Sequence, residues 1–383
     1  MLHGDSHRGI GCQRQRMRVC WAGTFEPSFE RNMRLREYLN SAAIEYLEVR
    51  MPMWSEDRVG AFSENRMRVL LRMLVVYPTL LIRLLATPRP DVYLVSYPGW
   101  FDVPIVKLVA MIKRRPVVFD IFISLYDTAV SDRALVPYES VVARLAHTVD
   151  RFSMRLSDRI ISDCPSHARF QADLAGLALD RFGIIYIGAD ESVFRPLNDF
   201  EVQEDLIVFY GTFIPLQGTE WIVRAASLLK ERGYRFRLIG SGQEAGAAKD
   251  LAESLDATNV EFADSMPKHD LVNELSRAAL CLGIFGTSDK ADRVIPHKVY
   301  EGLACGRPVL TGKTTAVTEV LGQEVAVCHT GDAAALADAI VLIMEDEYRR
   351  RRLASEGRAR FERDFSLKAQ SERLRYELER VVG

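Results

Sequence analysis

Short β-rich runs alternate with helix-patterned stretches along almost the whole chain, and this alternation constrains the fold more than any other feature. Parallel strands need a connection long enough to hold a crossover helix, so a repeating strand-then-helix order points to parallel sheets covered on both faces. The first half predicts strands at MRVCWAG (from Met17), IEYLEVR (Ile44), DVYLVSY (Asp91), PVVFDIFI (Pro116), RIISDC (Arg159) and FGIIYIG (Phe182). The stretch ADESVFRPLNDFEVQED, from Ala189 to Asp205, has no clear period, one proline and six acidic residues, and reads as a surface linker. The alternation then restarts at LIVFYG and continues through YRFRLIG, NVEFAD, ALCLGIF, RPVLTG and VAVCHT. The expectation is an α/β chain of two doubly wound parallel-sheet domains facing a cleft. Its predicted divisions are a disordered tail at 1–16, a first domain at 17–195, a linker at 196–205, a second domain at 206–365 and a final helix at 366–383. A return of that helix to the first domain is one option.

At 383 residues the chain exceeds what one hydrophobic core usually supports, which fits two domains. A net charge of -2 from 50 basic and 52 acidic side chains gives no field for nucleic acid, so no nucleic-acid partner is expected. The six cysteines (Cys12, Cys20, Cys164, Cys281, Cys305 and Cys328) form no C-x-x-C pair, against both a disulfide framework and a zinc site. Cys305 reads as a packing residue. His147, His167, His269 and His329 are widely separated, and no metal is assigned. Residues 1–16 lack an apolar secretory core, so the expected compartment is the cytoplasm. The apolar stretch from Arg68 to Ala86 is interrupted by Arg72, Pro78 and Arg83 and reads as a helix packed on a sheet, not a membrane span. The alternative for the Arg66–Leu85 region is peripheral contact with the inner face of a membrane. The Arg349–Arg352 run reads as a solvated helical face.

In open α/β sheets ligands bind beyond the carboxyl ends of the strands, where glycine turns let backbone amides approach an anion. Four such turns occur: Gly23; Gly211 with Gly218; Gly240 with Gly242; and Gly283 with Gly286. Three of them end successive strands of the second half, which places them on one rim of one sheet. A dinucleotide fingerprint and a phosphate-loop motif are both missing. Thr219 reads as the cap of the helix TEWIVRAASLLKERG, with Gly233 at its other end. Between Gly283 and Gly312 lie Lys290, Arg293, His297, Lys298 and Glu301. Cations near a helix start oppose the macrodipole, so they make better sense around a polyanion; a solvated charged loop is the other reading.

YGTFIPLQGTEWIVRAASLL, RLIGSGQE and PHKVYEGLACGRPVLTG resemble the second domain of the family-four retaining glycosyltransferases, which have the GT-B fold of two Rossmann-like domains. RLSDRIISDCPSHARF followed by IIYIGADESVFRP is similar to the end of that family's first domain, and the likeness runs from about Met17 to Ser366. It implies a nucleotide-sugar co-substrate, UDP- or GDP-linked, with no further cofactor. Its acceptor would be a glycan, a glycolipid or a small molecule. Glu301 would bind the donor ribose, a carboxylate offering two acceptors to a vicinal diol. Gly211, Thr212, Gln217, Gly218, Gly240, Gly242, Gln243, Phe285, Gly286 and Lys298 would line the donor, with Gly23 and TFEPSFERN facing it from the first domain. Two positions depart from the family. Its second glutamate, eight residues before Glu301, is Arg293 here, and its basic pair in the first turn is Thr212 and Gln217. The inference is that Lys290, Arg293 and Lys298 take over the diphosphate. Where the family places a histidine after the fourth strand, Asp120, Ser124 and Asp127 are the candidates, Asp120 equally as a buried hydrogen-bonding residue. A nucleotide-sugar epimerase of the same fold and a non-catalytic sugar-nucleotide binder are the rival functions.

Overall fold

The computed structural model describes residues 17–53, 66–128, 137, 140–197 and 199–383; the tail predicted at 1–16 lies outside them. Each predicted run contains a strand. The first sheet consists of β1 (Arg18–Gly23), β2 (Glu45–Arg50), β3 (Val92–Val95), β4 (Val117–Asp120), β5 (Arg159–Ser162) and β6 (Phe182–Ile184). They pair in parallel in the order β2-β1-β3-β4-β5-β6. The second consists of β7 (Gln203–Gly211), β8 (Arg235–Gly240), β9 (Val260–Ala263), β10 (Ala278–Leu282), β11 (Val309–Gly312) and β12 (Ala326–Cys328), parallel in the order β12-β11-β10-β7-β8-β9. Central strands such as β3, β4 and β10 are buried throughout, which is why they read as unbroken apolar runs and not as alternation. β7 starts at Gln203, inside the stretch predicted as linker, because Gln203 lies opposite Ala278 of β10 and the Arg235 side chain of β8 donates to those of Gln203 and Asp205.

One face of the first sheet is covered by α1 (Glu30–Ser41) and by the last helix, α14 (Leu367–Val382); Leu35, Leu39, Leu374 and Leu378 join Val19, Trp21 and Leu94 in one core. The C-terminal helix therefore returns to the first domain. The other face carries α2 (Arg66–Ala86), α3 (Asp102–Lys113), α4 (Val141–Leu156) and α5 (Pro165–Ala175). Pro78 does not interrupt α2, which is one 21-residue helix, long and apolar enough to cross a membrane by length and composition. Its Val76, Leu80 and Leu84, at i, i+4 and i+8, are buried on the domain.

The second sheet is sandwiched between α6 (Thr219–Leu228), α7 (Ala245–Ser254) and α12 (Ala333–Met344) on one side. On the other lie α8 (Lys268–Arg277), α10 (His297–Ala304), α11 (Thr315–Val320) and α13 (Glu347–Asp364); α9 (Asp289–Arg293) precedes α10. Thr219 is not the cap of α6. Gly218, at φ +65°, occupies that position, and Thr219 is the first helical residue. Gly233 is left-handed, as predicted, but closes a short 3-10 turn after the helix.

Candidate active site

In the second sheet the chain leaves β7 to one side through β8 and β9, then returns to β10 on the other. The crevice above the β7/β10 junction is therefore the switch point where open α/β sheets bind ligands. Three glycine turns meet there. A Cβ on Gly240 would stand 1.9 Å from the Gly211 carbonyl oxygen, so the β7 and β8 turns touch only because Gly240 is glycine. Likewise a Cβ on Gly218 would stand 2.5 Å from the Gly286 nitrogen, and the Phe285 amide donates to the Gln217 carbonyl at 3.0 Å. The loop 211–218 is thus clamped between the loops after β8 and β10. Phe285 contributes only backbone, its ring being core, and Gln243 is exposed at the rim.

Beneath this junction α10 presents Lys298 and Glu301, 5% and 6% exposed. The hydroxyl of Tyr210, the last residue but one of β7, donates to the Glu301 carboxylate. Burial pushes the Glu301 carboxyl up to about 7 in spite of that bond, and burial pushes the Lys298 ammonium down to about 7 in spite of Glu301. Lys298 Nζ lies 4.0 Å from the centre of the Phe209 ring. Lys298 Nζ, Gln217 Oε1, Thr219 Oγ1 and Arg293 Nε are buried and find no hydrogen-bond partner among the described residues. A native fold rarely leaves such a group without a ligand or water to meet it.

The first domain reaches this site through ion pairs. Arg293, leaving α9, donates to Asp127 at 2.7 Å, and its guanidinium lies 4.0 Å above the Phe170 ring. Its carbonyl accepts from the Cys164 thiol and the Ser166 hydroxyl, both on the first domain. Lys268 donates to Glu30 at 2.7 Å, and both are close enough to act on the Glu301 carboxyl. Arg169 and Glu319 form a third pair across the boundary. Asp127 is 1% exposed, with Oδ2 unpartnered among the described residues. Lys290 is half-buried on α9, beside the Pro215–Gln217 turn.

In the first domain two expectations, for Ser124 and Gly23, are corrected, and of the two readings of Asp120 the buried hydrogen-bonding one holds. Asp120 is sealed in a buried pair with Arg31, at 2.8 and 3.1 Å, and has no face toward the cleft. The Ser124 hydroxyl is spent on Asp150, which also accepts from the Leu125 and Tyr126 amides. Gly23 makes room for Asp102 and not for a nucleotide: a Cβ there would meet Asp102 Oδ2 at 2.4 Å, the oxygen that accepts from the Thr24 amide. Tyr210 and Asp150 escaped the sequence reading because nothing local marks a tyrosine ending a strand, or an aspartate inside a helix, as a clamp.

Residues 191–360 match the family model described as "Glycosyl transferases group 1". A D-inositol 3-phosphate glycosyltransferase from Acidothermus cellulolyticus is 30% identical over 213 residues, covering 49% of this chain and 46% of that protein. A GDP-mannose-dependent monoacylated alpha-(1-6)-phosphatidylinositol monomannoside mannosyltransferase from Corynebacterium glutamicum is 23% identical over 59% of each. The chain spans about half the length of the curated relatives it matches. Sucrose-phosphate synthase from Thermosynechococcus elongatus superimposes with a TM-score of 0.72 at 16% identity, covering 95% of this chain and 99% of the other. Anabaena HepE in complex with UDP gives 0.70 at 14% identity, covering 95% and 100%. The fold is GT-B, and the second domain, over residues 191–360, is similar to the glycosyl transferases group 1.

Proposed function

We propose that this protein transfers a sugar from a nucleotide-sugar donor to the hydroxyl of an acceptor, with retention at the anomeric carbon, in the cytoplasm. The observation that carries this reading is the cluster of unpartnered buried polar atoms, Gln217 Oε1, Thr219 Oγ1, Lys298 Nζ and Arg293 Nε, beside the glycine turns of the β7/β10 switch point. The donor's ribose diol meets Glu301, which Tyr210 holds in place, and its diphosphate lies among the loop amides with Lys290, Arg293 and Lys298. A bound diphosphate restores the charge on Lys298 that burial removes, so the cation strengthens as the leaving group develops charge. The acceptor, a polysaccharide, lipid-linked glycan or small molecule, enters from the first domain, whose Asp127 carboxylate pairs with Arg293, the residue at the family glutamate's position. In the transfer the acceptor oxygen bonds to the anomeric carbon as the bond from that carbon to the diphosphate oxygen breaks. The acceptor proton passes to the departing phosphate, so no protein base is required.

A thermal-shift panel of UDP, GDP and their sugars tests this. UDP in the HepE complex and GDP-mannose in the name of the mannosyltransferase relative make both bases worth testing. At a hundredfold excess over Kd the matching ligand stabilises by about 2.7 kcal/mol. Turnover then needs both donor and acceptor and is unchanged by EDTA. Sugar product from donor alone would indicate an epimerase. Tight binding with no donor consumed across an acceptor panel would indicate a binder.

A further inference from the structure

Helices α2, α3 and α4 lie side by side on one face of the first sheet, burying their inner sides in a single core. Their outer sides are unusual in two respects. Leu71, Leu74 and Val75 on α2, Met111 and Ile112 on α3, and Leu145 on α4 are each more than half exposed. More than half of the large exposed apolar side chains among the described residues stand on these three helices. Separated surface leucines need no explanation, but a run of them over three adjacent helices marks an interaction face.

The charges say what covers it. Arg68, Arg83, Arg114, Arg144 and Arg151 are exposed on or at the ends of the same helices. Acidic groups are withheld from this face: α2 has none, and Asp102 of α3 and Asp150 of α4 are fully buried. Asp158, just beyond α4, is paired with Lys107. A protein partner would ordinarily be met by charges of both signs, whereas an apolar face studded with arginine, its nearest exposed acid already paired, complements a lipid surface of uniform negative charge. The arginine stems add to the apolar contact while their heads stay at the phosphate level.

We propose that the α2–α3–α4 face docks on an anionic lipid bilayer. Lying flat on it, the first domain keeps one side of its cleft at the membrane. The N-terminal half of α2, with Leu71, Leu74 and Val75, begins at the strand-end rim, since α2 follows β2 and runs back toward the start of β3. This proposal rests on the outer face alone and stands whether or not the donor reading does.

Flotation of the purified full-length protein with vesicles tests it. Phosphatidylcholine containing phosphatidylglycerol should carry the protein up, and phosphatidylcholine alone should carry far less. Raised salt, or Arg114→Glu with Arg144→Glu, should weaken binding at least about tenfold. Leu71→Glu with Ile112→Glu should abolish it while leaving the melting temperature unchanged, since both side chains are exposed. Absence of flotation with the anionic vesicles at low salt overturns the proposal. So does binding indifferent to these substitutions, or a lipid-free dimer that they dissociate, which would make a second copy the occupant.

Discussion

Replacing Glu301 by glutamine is expected to yield a protein that is more stable than the parent at pH 8 and nearly unable to use its donor. The carboxyl is buried and held up near 7, against 4.5 in the unfolded chain. Between those values the folded state keeps a proton that the unfolded chain has released, so stability falls as pH rises through that window. Above about pH 7 the parent carries the whole cost, roughly 3 kcal/mol for about 2.5 units of displacement. Glutamine has no charge to bury and still accepts the Tyr210 hydroxyl, so it removes that cost. Below pH 4.5 both side chains are neutral and the two melting curves should converge. Donor use should fall roughly 10²–10³-fold in kcat/KM, because an amide offers one acceptor to the ribose diol where a carboxylate offers two. Calorimetric melts from pH 4 to 9, alongside initial rates, check both arms. A variant that loses stability at pH 8, or keeps its rate, would remove Glu301 from the donor site.

Lys298 supplies the mirror image. Its ammonium is held down near 7 against 10.5 in the unfolded chain, so its cost to stability appears as pH falls through that interval. Lys298→Met is therefore expected to stabilise at pH 6 and to make no difference above pH 10.5, as read by the same melts. Buried groups of opposite sign that both titrate near neutrality, beside glycine turns, mark a site shaped for a ligand at the expense of stability.

The strands and the rim were legible because both depend on local chemistry. A parallel strand buried on two faces must be an apolar run, and three turns that bring backbones together must carry glycine. Gly211, Gly240 and Gly286 could thus be placed on one edge from their order alone. Side-chain pairing was not legible. Asp120 and Arg31 are 89 residues apart, and Asp127 and Arg293 are 166 apart. Nothing in the spacing VFDIFISLYDT tells which aspartate is locked inside the domain and which reaches the boundary. The structure separates them through Asp150, whose carboxylate gathers Ser124 and the Leu125 and Tyr126 amides, while Ser124 accepts from the Asp127 amide. The α10 charges were recognisable as a group but not as a buried one, because burial depends on how α10 lies on β7.

The Asp127–Arg293 pair invites two readings, and a charge exchange separates them. As a bolt between domains, the pair should work in either orientation. As part of the reaction, only one orientation will do, since Arg293 must also face the diphosphate with its unpartnered Nε. Arg293→Ala leaves a carboxylate that is 1% exposed without its cation, which should cost about 3–5 kcal/mol of stability. Asp127→Asn with Arg293→Ala should recover most of that loss, because no buried charge is then left alone. In activity both variants should stay at least about 10²-fold below the parent. The exchanged protein, Asp127→Arg with Arg293→Asp, should regain stability relative to Arg293→Ala but not its rate, as a carboxylate at 293 repels the leaving diphosphate. Melting temperature and kcat/KM read for the same four proteins give the answer. Recovery of rate by the exchange would reduce Arg293 to a bolt and leave Lys290 and Lys298 to meet the diphosphate alone.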